Sequence, residues 1–246
     1  MKITILGNNG AYTGAEGACS GYLVTEKEIN IVFDMGPGTL ANLQKFISID
    51  KIDALVLSHL HYDHIGDLFI LNYAVEIYKS RGLFDGKMKI YCPAVPVVDF
   101  ERIKGMDGVF EVIPYNDKTI VSIGDLNIKF SEMTHSITSY ACAVKCPTGL
   151  FVYTGDTSYN EKIADFSMGA DILLIDAGLI SEDKNKNKNA NHLTAEECGL
   201  IGDDVKPGLL LLTHIMPLND HSTILAEVHV NFKNAEIAEI SKVYYI

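Results

Sequence analysis

The sequence lacks any apolar run of the roughly 20 residues that a membrane-spanning helix needs. It also lacks a recognisable signal peptide, because the opening stretch Met1–Gly7 is too short and resembles a β-strand. No segment has the length or composition of a linker between domains. Hydrophobic residues make up 48% of the 246 residues, which suits one substantial core. We therefore expect a single domain over residues 1–246, a cytoplasmic location and no membrane association.

The cysteines do not form a CxxC pair, and their odd number and scattered positions do not fit a disulfide framework. Cys142 and Cys146 are four residues apart in a segment of strand-like alternation, where they would share one face. We expect every cysteine to be a small buried apolar side chain. The cysteines are Cys19, Cys92, Cys142, Cys146 and Cys198.

Basic residues are in short supply. The chain has 20 Lys and Arg against 32 Asp and Glu, which gives a formal net charge of −12. Proteins that grip long nucleic acids take most of their affinity from basic side chains that neutralise phosphates. A large nucleic acid is therefore not the expected partner. A small substrate that is drawn by bound cations remains compatible with this charge.

Short runs of β-type residues recur along the whole chain. Those at Ala54–Ser58, Asp171–Asp176 and Leu209–Thr213 are nearly continuous in Val, Ile and Leu, as expected of strands covered by helices on both faces. The alternation in Asn127–Phe130 instead indicates a sheet with one exposed face. The other predicted strands are Lys2–Leu6, Gly21–Thr25, Ile29–Asp34, Lys89–Cys92, Leu126–Phe130, Ala141–Lys145 and Leu150–Thr154.

Helical periodicity between these strands predicts three helices, the first of them directly after Asp63. A second helix is predicted to begin after Thr194, because Glu197 stands at the capping-box spacing. A third is predicted over Pro217–Phe232, with Pro217 in its first turn. Strands mixed with helices predict an α/β layered sandwich. The first helix carries an apolar stripe after Asp63, at Ile65, Leu68, Phe69, Val75 and Tyr78.

The stretch Ser181–Asn191 is polar and low in complexity, so we expect a mobile surface loop. It directly precedes His192, and a lid over a site is the second interpretation.

The run HLHYDH at residues 59–64 holds three imidazoles and a carboxylate directly after an apolar strand. Burying these groups without a partner would be costly, whereas a divalent cation would use all of them. One tetrahedral ion cannot comfortably take four ligands from so short a segment. Two adjacent metals, roughly 3.5–4 Å apart, suit the spacing better. One would take His59 and His61, and the other would take Asp63 and His64.

A pair of metals needs further ligands. His135, Asp156 and His214 each lie just past the end of a predicted strand, which is where α/β proteins place their sites. Four strand-end segments with the same ligand types predict a dinuclear centre. His221 and His229 have no motif around them, and we interpret them as surface or hydrogen-bonded helix histidines.

The pattern HxHxDH, then His135, Asp156 in a TGDT segment and His214 in LTH, resembles the metallo-β-lactamase superfamily over nearly the whole chain. The resemblance implies a four-layer αββα sandwich and a dinuclear hydrolytic site. Three further segments look like the ribonuclease Z branch of that superfamily: Leu6–Gly10, Phe33–Thr39 and His192–Thr194.

The resemblance also implies how seven ligands would be divided between two metal ions. Nitrogen and carboxylate ligands suit Zn²⁺, with Mn²⁺ or Fe²⁺ as alternatives. Asp34 would orient a ligand or the HxHxDH loop, and a turn residue before Gly36 is the alternative. The first metal would be held by His59, His61 and His135, and the second by Asp63, His64 and His214, with Asp156 bridging.

His192 is implied to lie near the metals without binding them and to protonate the leaving oxygen. Packing beside the start of the Thr194 helix is the alternative. Asp63 would hold or deprotonate the nucleophile, a bridging water whose pKa the metals lower. The family's His-Glu-Ala-Thr segment reads Asp-Ala-Gly-Leu here, from Asp176. The glutamate that would support His192 is therefore absent, and Asp176 is a candidate substitute.

Ribonuclease Z enzymes also carry a long arm, between their third and fourth motifs, that grips transfer RNA. Here only a short stretch separates His135 from Asp156, and two predicted strands fill it. The missing arm and the acidic charge argue against transfer-RNA processing.

The leading hypothesis is a dinuclear metal-dependent phosphodiesterase that acts on small phosphodiesters or nucleotides through a metal-bridging hydroxide. A lactonase or carboxylic-ester hydrolase on the same site is the alternative. A non-catalytic metal-binding sensor or scaffold is less favoured, because structural zinc usually has all four positions filled by protein ligands. A serine nucleophile has no support, since no GxSxG element occurs. The expected partner is a small molecule, and a homodimer is left open.

Overall fold

The computed structural model describes residues 1–187 and 190–246. Within these ranges the strands form two seven-stranded sheets. The strands of the first sheet are β1 (Lys2–Gly7), β2 (Gly21–Glu26), β3 (Ile29–Phe33), β4 (Ala54–Val56), β5 (Met88–Cys92), β6 (Phe110–Pro114) and β14 (Val243–Tyr245). Those of the second are β7 (Ile120–Ile123), β8 (Leu126–Met133), β9 (Ser139–Cys146), β10 (Gly149–Tyr153), β11 (Ile172–Asp176), β12 (Leu209–Thr213) and β13 (Ala235–Ile237).

The order of strands sets the direction in which each one points. The first sheet runs β14-β1-β2-β3-β4-β5-β6, and its strands β3 to β6 are parallel. The second runs β13-β12-β11-β10-β9-β8-β7, and its strands β10 to β13 are parallel. Strand β8 pairs antiparallel with β9, which pairs antiparallel with β10, so β8 points the same way as β10. Several strands therefore end at a shared edge.

The two sheets pack face to face around an aromatic core. Tyr22 meets Tyr153 with ring centroids 4.8 Å apart, and Phe33 meets Phe151 at 6.4 Å. Both contacts are edge-on, the geometry that aromatic pairs prefer. Cys142 and Cys146 also point into this core, on one face of β9 as predicted. All five cysteines are buried and free, which confirms that they act as small apolar side chains.

Helices cover the outer face of each sheet and complete four layers. One apolar cluster joins Leu55 to Leu71 and Phe100, and another joins Leu173 to Cys198 and Ile224. The predicted αββα sandwich is therefore confirmed. The helices are α1 (Thr39–Leu43), α2 (Tyr62–Ile65), α3 (Leu68–Ser80), α4 (Val97–Lys104), α5 (Lys162–Ser167), α6 (Ser181–Lys186), α7 (Ala195–Val205) and α8 (His221–Asn231), with a 3-10 helix at Ile49–Lys51.

No helix in the described ranges is both long enough and apolar enough to cross a bilayer.

Two predicted helices differ in the structure. The apolar stripe after Asp63 is divided between α2 and α3. The helix predicted from Pro217 begins only at His221, so the placement of Pro217 in a first turn is wrong. Asp220 caps α8 instead, because its carboxylate accepts the Thr223 N–H at 3.0 Å.

The loop prediction for Ser181–Asn191 is wrong for its first six residues, which form α6. Asp183 accepts the Ile180 N–H at 3.1 Å, which satisfies a donor at the start of the helix. Lys186 pairs with Glu182 one turn earlier at 2.7 Å. These local polar contacts stabilise a turn of helix that the apolar pattern could not reveal. Of the other residues in that prediction, Lys188 and Asn189 lie outside the described residues.

Candidate metal centre

Strand ends bring the predicted ligands to one place between the sheets. Asp34 and His59 follow the parallel neighbours β3 and β4, and Asp156 and His214 follow β10 and β12. His135 follows β8, which points the same way. Carboxyl ends of parallel strands meet at one edge of a sheet, so residues distant in sequence converge there.

The first group of ligand-type atoms belongs to His59, His61, His135 and Asp156, all within 4.8 Å of one another. The Nδ1 atom of His61 lies 3.0 Å from His59 Nε2 and 3.1 Å from His135 Nε2. One carboxylate oxygen of Asp156 lies 3.6 Å from His59 Nε2. Ring nitrogens that face each other so closely have the arrangement of ligands around a common cation.

The second group consists of Asp63, His64, Asp156 and His214, again within 4.8 Å. The Nε2 atom of His214 lies 3.1 Å from Asp63 and 3.2 Å from Asp156. The Nε2 atom of His64 lies 3.2 Å from the other oxygen of Asp156. Asp156 belongs to both groups, because its Oδ2 faces His59 and His214 while its Oδ1 faces His64.

These residues fit two divalent cations. His64 Nε2 and Asp156 Oδ1 are buried and lie 3.2 Å apart, yet neither makes a hydrogen bond of acceptable geometry among the described residues. Orphaned buried atoms of this kind cost free energy unless something binds them. Imidazole and carboxylate are the donor types that zinc and related metals take, and both groups have at least three of them.

The ionisation of the groups also fits a cation. Burial raises the pKa of Asp156, but His214, His64 and His59 outweigh it and hold the pKa well below its usual range. Burial lowers the pKa of His59 well below its usual range. Burial acts against protonation of His64 too, but Asp156 and Asp34 outweigh it and raise its pKa well above the usual value. The excess of carboxylate around His64 is what a bound cation would neutralise.

Asp34 lies behind the candidate ligands and orients His64. Its Oδ2 accepts hydrogen bonds from His64 Nδ1 and from the Tyr153 hydroxyl, each at 2.8 Å. Its Oδ1 accepts the Ser58 N–H at 2.7 Å. The bond to Nδ1 turns His64 Nε2 towards the second group, the usual function of a carboxylate behind a metal-binding histidine.

Ser58 and Tyr153 were missed by sequence reasoning. The Ser58 hydroxyl donates to Asp34 at 2.8 Å and lies 3.0 Å from His59 Nδ1, so it orients that imidazole as well. Ser58 could have been found, because it stands immediately before the HxHxDH run at a strand end. Tyr153 carries no such local indication, since it is 119 residues from Asp34 in sequence.

His192 is held beside the second group by Asp176. Its Nδ1 lies 2.9 Å from Asp176 Oδ2, and its ring stacks on His214 with centroids 4.7 Å apart. Burial lowers the pKa of His192, but Asp176 outweighs it and raises the pKa to about 9. Asp176 therefore lies where it can support His192 in place of the absent glutamate.

The backbone is unusual at these positions. Asp34 and His214 both have φ of 56°, the left-handed region that only a few per cent of non-glycine residues adopt. Gly155, directly before Asp156, has φ of 59°. A Cβ atom at Gly10 would lie 2.0 Å from the His214 ring, so only glycine lets the backbone pass there. Such backbone strain is typical of functional sites.

A cavity of about 510 Å³ opens over both groups. Its wall includes Asn187, Ala190 and Asn191, from the segment after α6. His135 Nδ1 donates to the Asn191 carbonyl at 3.0 Å, which connects this segment to a candidate ligand. His221 and His229 lie elsewhere: the first is exposed, and the second bonds to the Ala235 carbonyl at 2.9 Å.

The family model of the β-lactamase superfamily domain matches residues 29–215. The chain belongs to this superfamily. It is 29% identical over 237 residues to the probable metallo-hydrolase YhfI of Bacillus subtilis, with 96% of each chain covered. It is 25% identical to a ribonuclease Z of Archaeoglobus fulgidus, over 97% of this chain and 95% of that one. These relatives confirm the predicted ribonuclease Z-like branch.

Solved structures show the same fold. The crystal structure of YhfI from Bacillus subtilis has a TM-score of 0.92 and 27% identity, and the match covers 99% of this chain and 98% of that one. The short form of human tRNase Z has a TM-score of 0.78 at 19% identity, over 100% of this chain and 99% of that one. Family membership and the two donor groups together identify a metal-dependent hydrolase of the β-lactamase superfamily.

Proposed function

We propose that this hydrolase is a phosphodiesterase that uses two metal ions to cleave small phosphodiesters or nucleotides. The observation that carries the proposal is the His192–Asp176 pair: His192 lines the cavity over both donor groups, and the buried Asp176 holds it from behind. A histidine held in this way can donate a proton to an alkoxide, the group that leaves when a phosphodiester is cleaved.

Seven side chains would hold the metals. His59, His61 and His135 would bind one ion, Asp63, His64 and His214 would bind the other, and Asp156 would bridge them. Zn²⁺ is the ion that we propose, with Mn²⁺ and Fe²⁺ as alternatives. When bound, the two cations would polarise a phosphoryl oxygen and lower the pKa of an attacking water.

The protein's own groups would then move the protons. Asp63 is half-buried and lines the cavity, so its carboxylate can accept a hydrogen bond from the attacking water and orient it. As the water oxygen bonds to phosphorus, the bond from phosphorus to the leaving oxygen breaks. His192 would give its proton to that leaving oxygen, while Asp176 stabilises the charged imidazole at Nδ1.

Two features support a small substrate. Residues between His135 and Asp156 form the β9–β10 hairpin, which leaves no room in that segment for an arm of the kind that grips transfer RNA. The net charge of −12 disfavours long polyanions. The cavity of about 510 Å³ lies within the usual range for small-molecule sites.

The test is a hydrolase panel on protein of measured metal content. Bis-p-nitrophenyl phosphate and cyclic nucleotides are compared with lactones and carboxylic esters, on the wild type and on His192→Ala. Turnover of both phosphodiesters is the expected result, and it should depend on His192 for the cyclic nucleotides, whose leaving group is an alkoxide. Full metal content with turnover of lactones alone would assign the site to acyl hydrolysis instead.

A further inference from the structure

A second cavity lies beside the two groups of candidate metal ligands (the metal groups), on the side of His61. It has a volume of about 200 Å³ and is lined by Leu60, His61, Tyr62, Pro96, Asp99 and Ile137. His61 and Tyr62 also line the larger cavity over the donor groups. The two cavities therefore share part of their lining, and we call the smaller one the Tyr62 cleft.

Tyr62 stands at the junction of the two cavities. The residue is 62% exposed, although it lies in sequence between the ligand-type residues His61 and Asp63. Its hydroxyl donates to Asp99 Oδ1 at 3.3 Å, which ties the start of α2 to the first turn of α4. The aromatic ring is thus held in position and yet largely uncovered. A ring fixed in advance loses little conformational entropy when a ligand stacks on it.

The other walls of the Tyr62 cleft suit a planar apolar group. Leu60 is buried, and Pro96 and Ile137 are half-buried, so each presents an apolar surface. Pro96 and Ile137 also line a third cavity, whose lining includes Glu132 and His135. In other proteins an apolar cavity of roughly 150 Å³ is enough to bind benzene.

Charge around the Tyr62 cleft limits what can enter it. The carboxylates that line this cleft and the third cavity belong to Asp99 and Glu132, and the lining of both contains no lysine or arginine. A second phosphate would meet negative charge there without a cationic partner. An uncharged ring that carries N–H donors would instead find carboxylate acceptors.

We propose that the Tyr62 cleft binds the nucleobase of a nucleotide whose phosphate lies at the metal groups. Tyr62 is the stacking residue, and Pro96 and Ile137 form the walls beside it. The assignment rests on the proposed phosphodiesterase function and narrows its substrate to phosphodiesters that carry a base. Stacking of a base on an aromatic side chain changes affinity roughly 5- to 150-fold, and it tolerates different bases.

Calorimetric binding of adenosine monophosphate and of ribose 5-phosphate to the metal-loaded protein tests this assignment. The two probes share the sugar and the phosphate and differ by the base. The wild type is expected to bind adenosine monophosphate roughly 5- to 150-fold more tightly. The ratio of the dissociation constant of ribose 5-phosphate to that of adenosine monophosphate should fall towards one in Tyr62→Ala. It should stay high in Tyr62→Phe, which keeps the ring.

The control is Tyr73→Ala, which removes a tyrosine of similar exposure (63%) on α3, outside the cleft, and should retain the wild-type ratio. The metal content and the melting temperature of each variant are measured and should match those of the wild type, because Tyr62 lies between two candidate ligands in sequence. Should Tyr62→Ala not fold, Ile137→Ala takes its place and should also lower the ratio.

A wild-type ratio near one, or an unchanged ratio in Tyr62→Ala, would overturn the proposal. Equal loss in Tyr62→Phe and Tyr62→Ala would also overturn stacking, because the bond to Asp99 would then account for the effect. Binding is measured without turnover, so the two proposals fail separately. A high ratio without phosphodiester hydrolysis refutes the reaction alone, and hydrolysis with a ratio near one refutes the subsite alone.

Discussion

His192 Nδ1 donates a hydrogen bond of 2.9 Å to Asp176 Oδ2. The bond defines the tautomer, since a carboxylate accepts the proton of Nδ1 and leaves Nε2 as the nitrogen that would act on a substrate. Asp176 is itself held by the N–H groups of Thr157 and Gly178, each at 3.0 Å. The imidazole therefore rests on a carboxylate that the backbone keeps in place at the end of β11.

Replacement of His192 by alanine should slow cleavage in proportion to the basicity of the leaving group. For alkoxide leaving groups, kcat is expected to fall about 10²- to 10⁴-fold, the usual contribution of a positioned acid. For p-nitrophenolate, which leaves without a proton, the loss should be much smaller. Steady-state kinetics on both substrate types gives the comparison, and metal content measured in parallel should be unchanged. Equal losses on both substrates would remove His192 from the role of acid.

Replacement of Asp34 by asparagine should weaken metal binding without removing a ligand. Asparagine tolerates the left-handed backbone at this position, so the change acts mainly on the carboxylate that orients His64. Metal affinity is expected to fall about 10- to 100-fold. Competition with a chromogenic chelator measures it, and Asp107→Asn, an exposed carboxylate with no contact to the site, is the matched control. Wild-type affinity in Asp34→Asn would contradict the orienting role.

Most of the candidate site followed from the sequence because its residues stand at strand ends in short motifs. The HxHxDH run and the strand-end positions of His135, Asp156 and His214 needed only strand prediction to be brought together. Tyr153 could not be found, because its hydroxyl reaches Asp34 from the opposite sheet and nothing near it in sequence differs from an ordinary core tyrosine. Whether the seven ligands bind metal remains a prediction.

The layers of the fold were predicted correctly from the sequence, whereas the strands at the sheet edges were not. The buried strands β4, β11 and β12 are continuous in aliphatic residues and were found close to their observed ends. The strands at the sheet edges, β6, β7, β13 and β14, were missed. They are three to five residues long and pair with a neighbour on one side only, so their apolar pattern is weak. Helix α6 was missed because polar contacts, and not an apolar stripe, stabilise it.

Removal of the metals should lower thermal stability. A ligand that binds only the folded state, at 100 times its dissociation constant, stabilises it by about 2.7 kcal/mol. For a chain of this size that corresponds to a shift in melting temperature of about 5–11 °C. Differential scanning calorimetry before and after dialysis against a chelator gives the shift, and return of zinc should reverse it. A melting temperature that does not respond to metal would show that the buried donors bind nothing in the folded protein.

Replacement of Thr194 by alanine should destabilise the start of α7. The Thr194 hydroxyl accepts the Glu197 N–H at 3.2 Å, and the Glu197 carboxylate accepts the Thr194 N–H at 3.0 Å, so both halves of the predicted capping box form. The free energy of unfolding should fall by about 1 kcal/mol. Urea denaturation measures this loss, and Thr194→Ser, which keeps the hydroxyl, should show little of it. An equal loss in both variants would point to packing of the methyl group instead.

The central claim is that two metal ions at these donor groups support phosphodiester hydrolysis. Its most direct test is titration of metal-free protein with zinc while the hydrolysis of bis-p-nitrophenyl phosphate is followed. We expect no turnover without metal and a plateau of activity at two equivalents per chain. Asp156→Ala should lose this behaviour, because Asp156 belongs to both groups. Turnover in metal-free protein, or none with two equivalents bound, would contradict the claim.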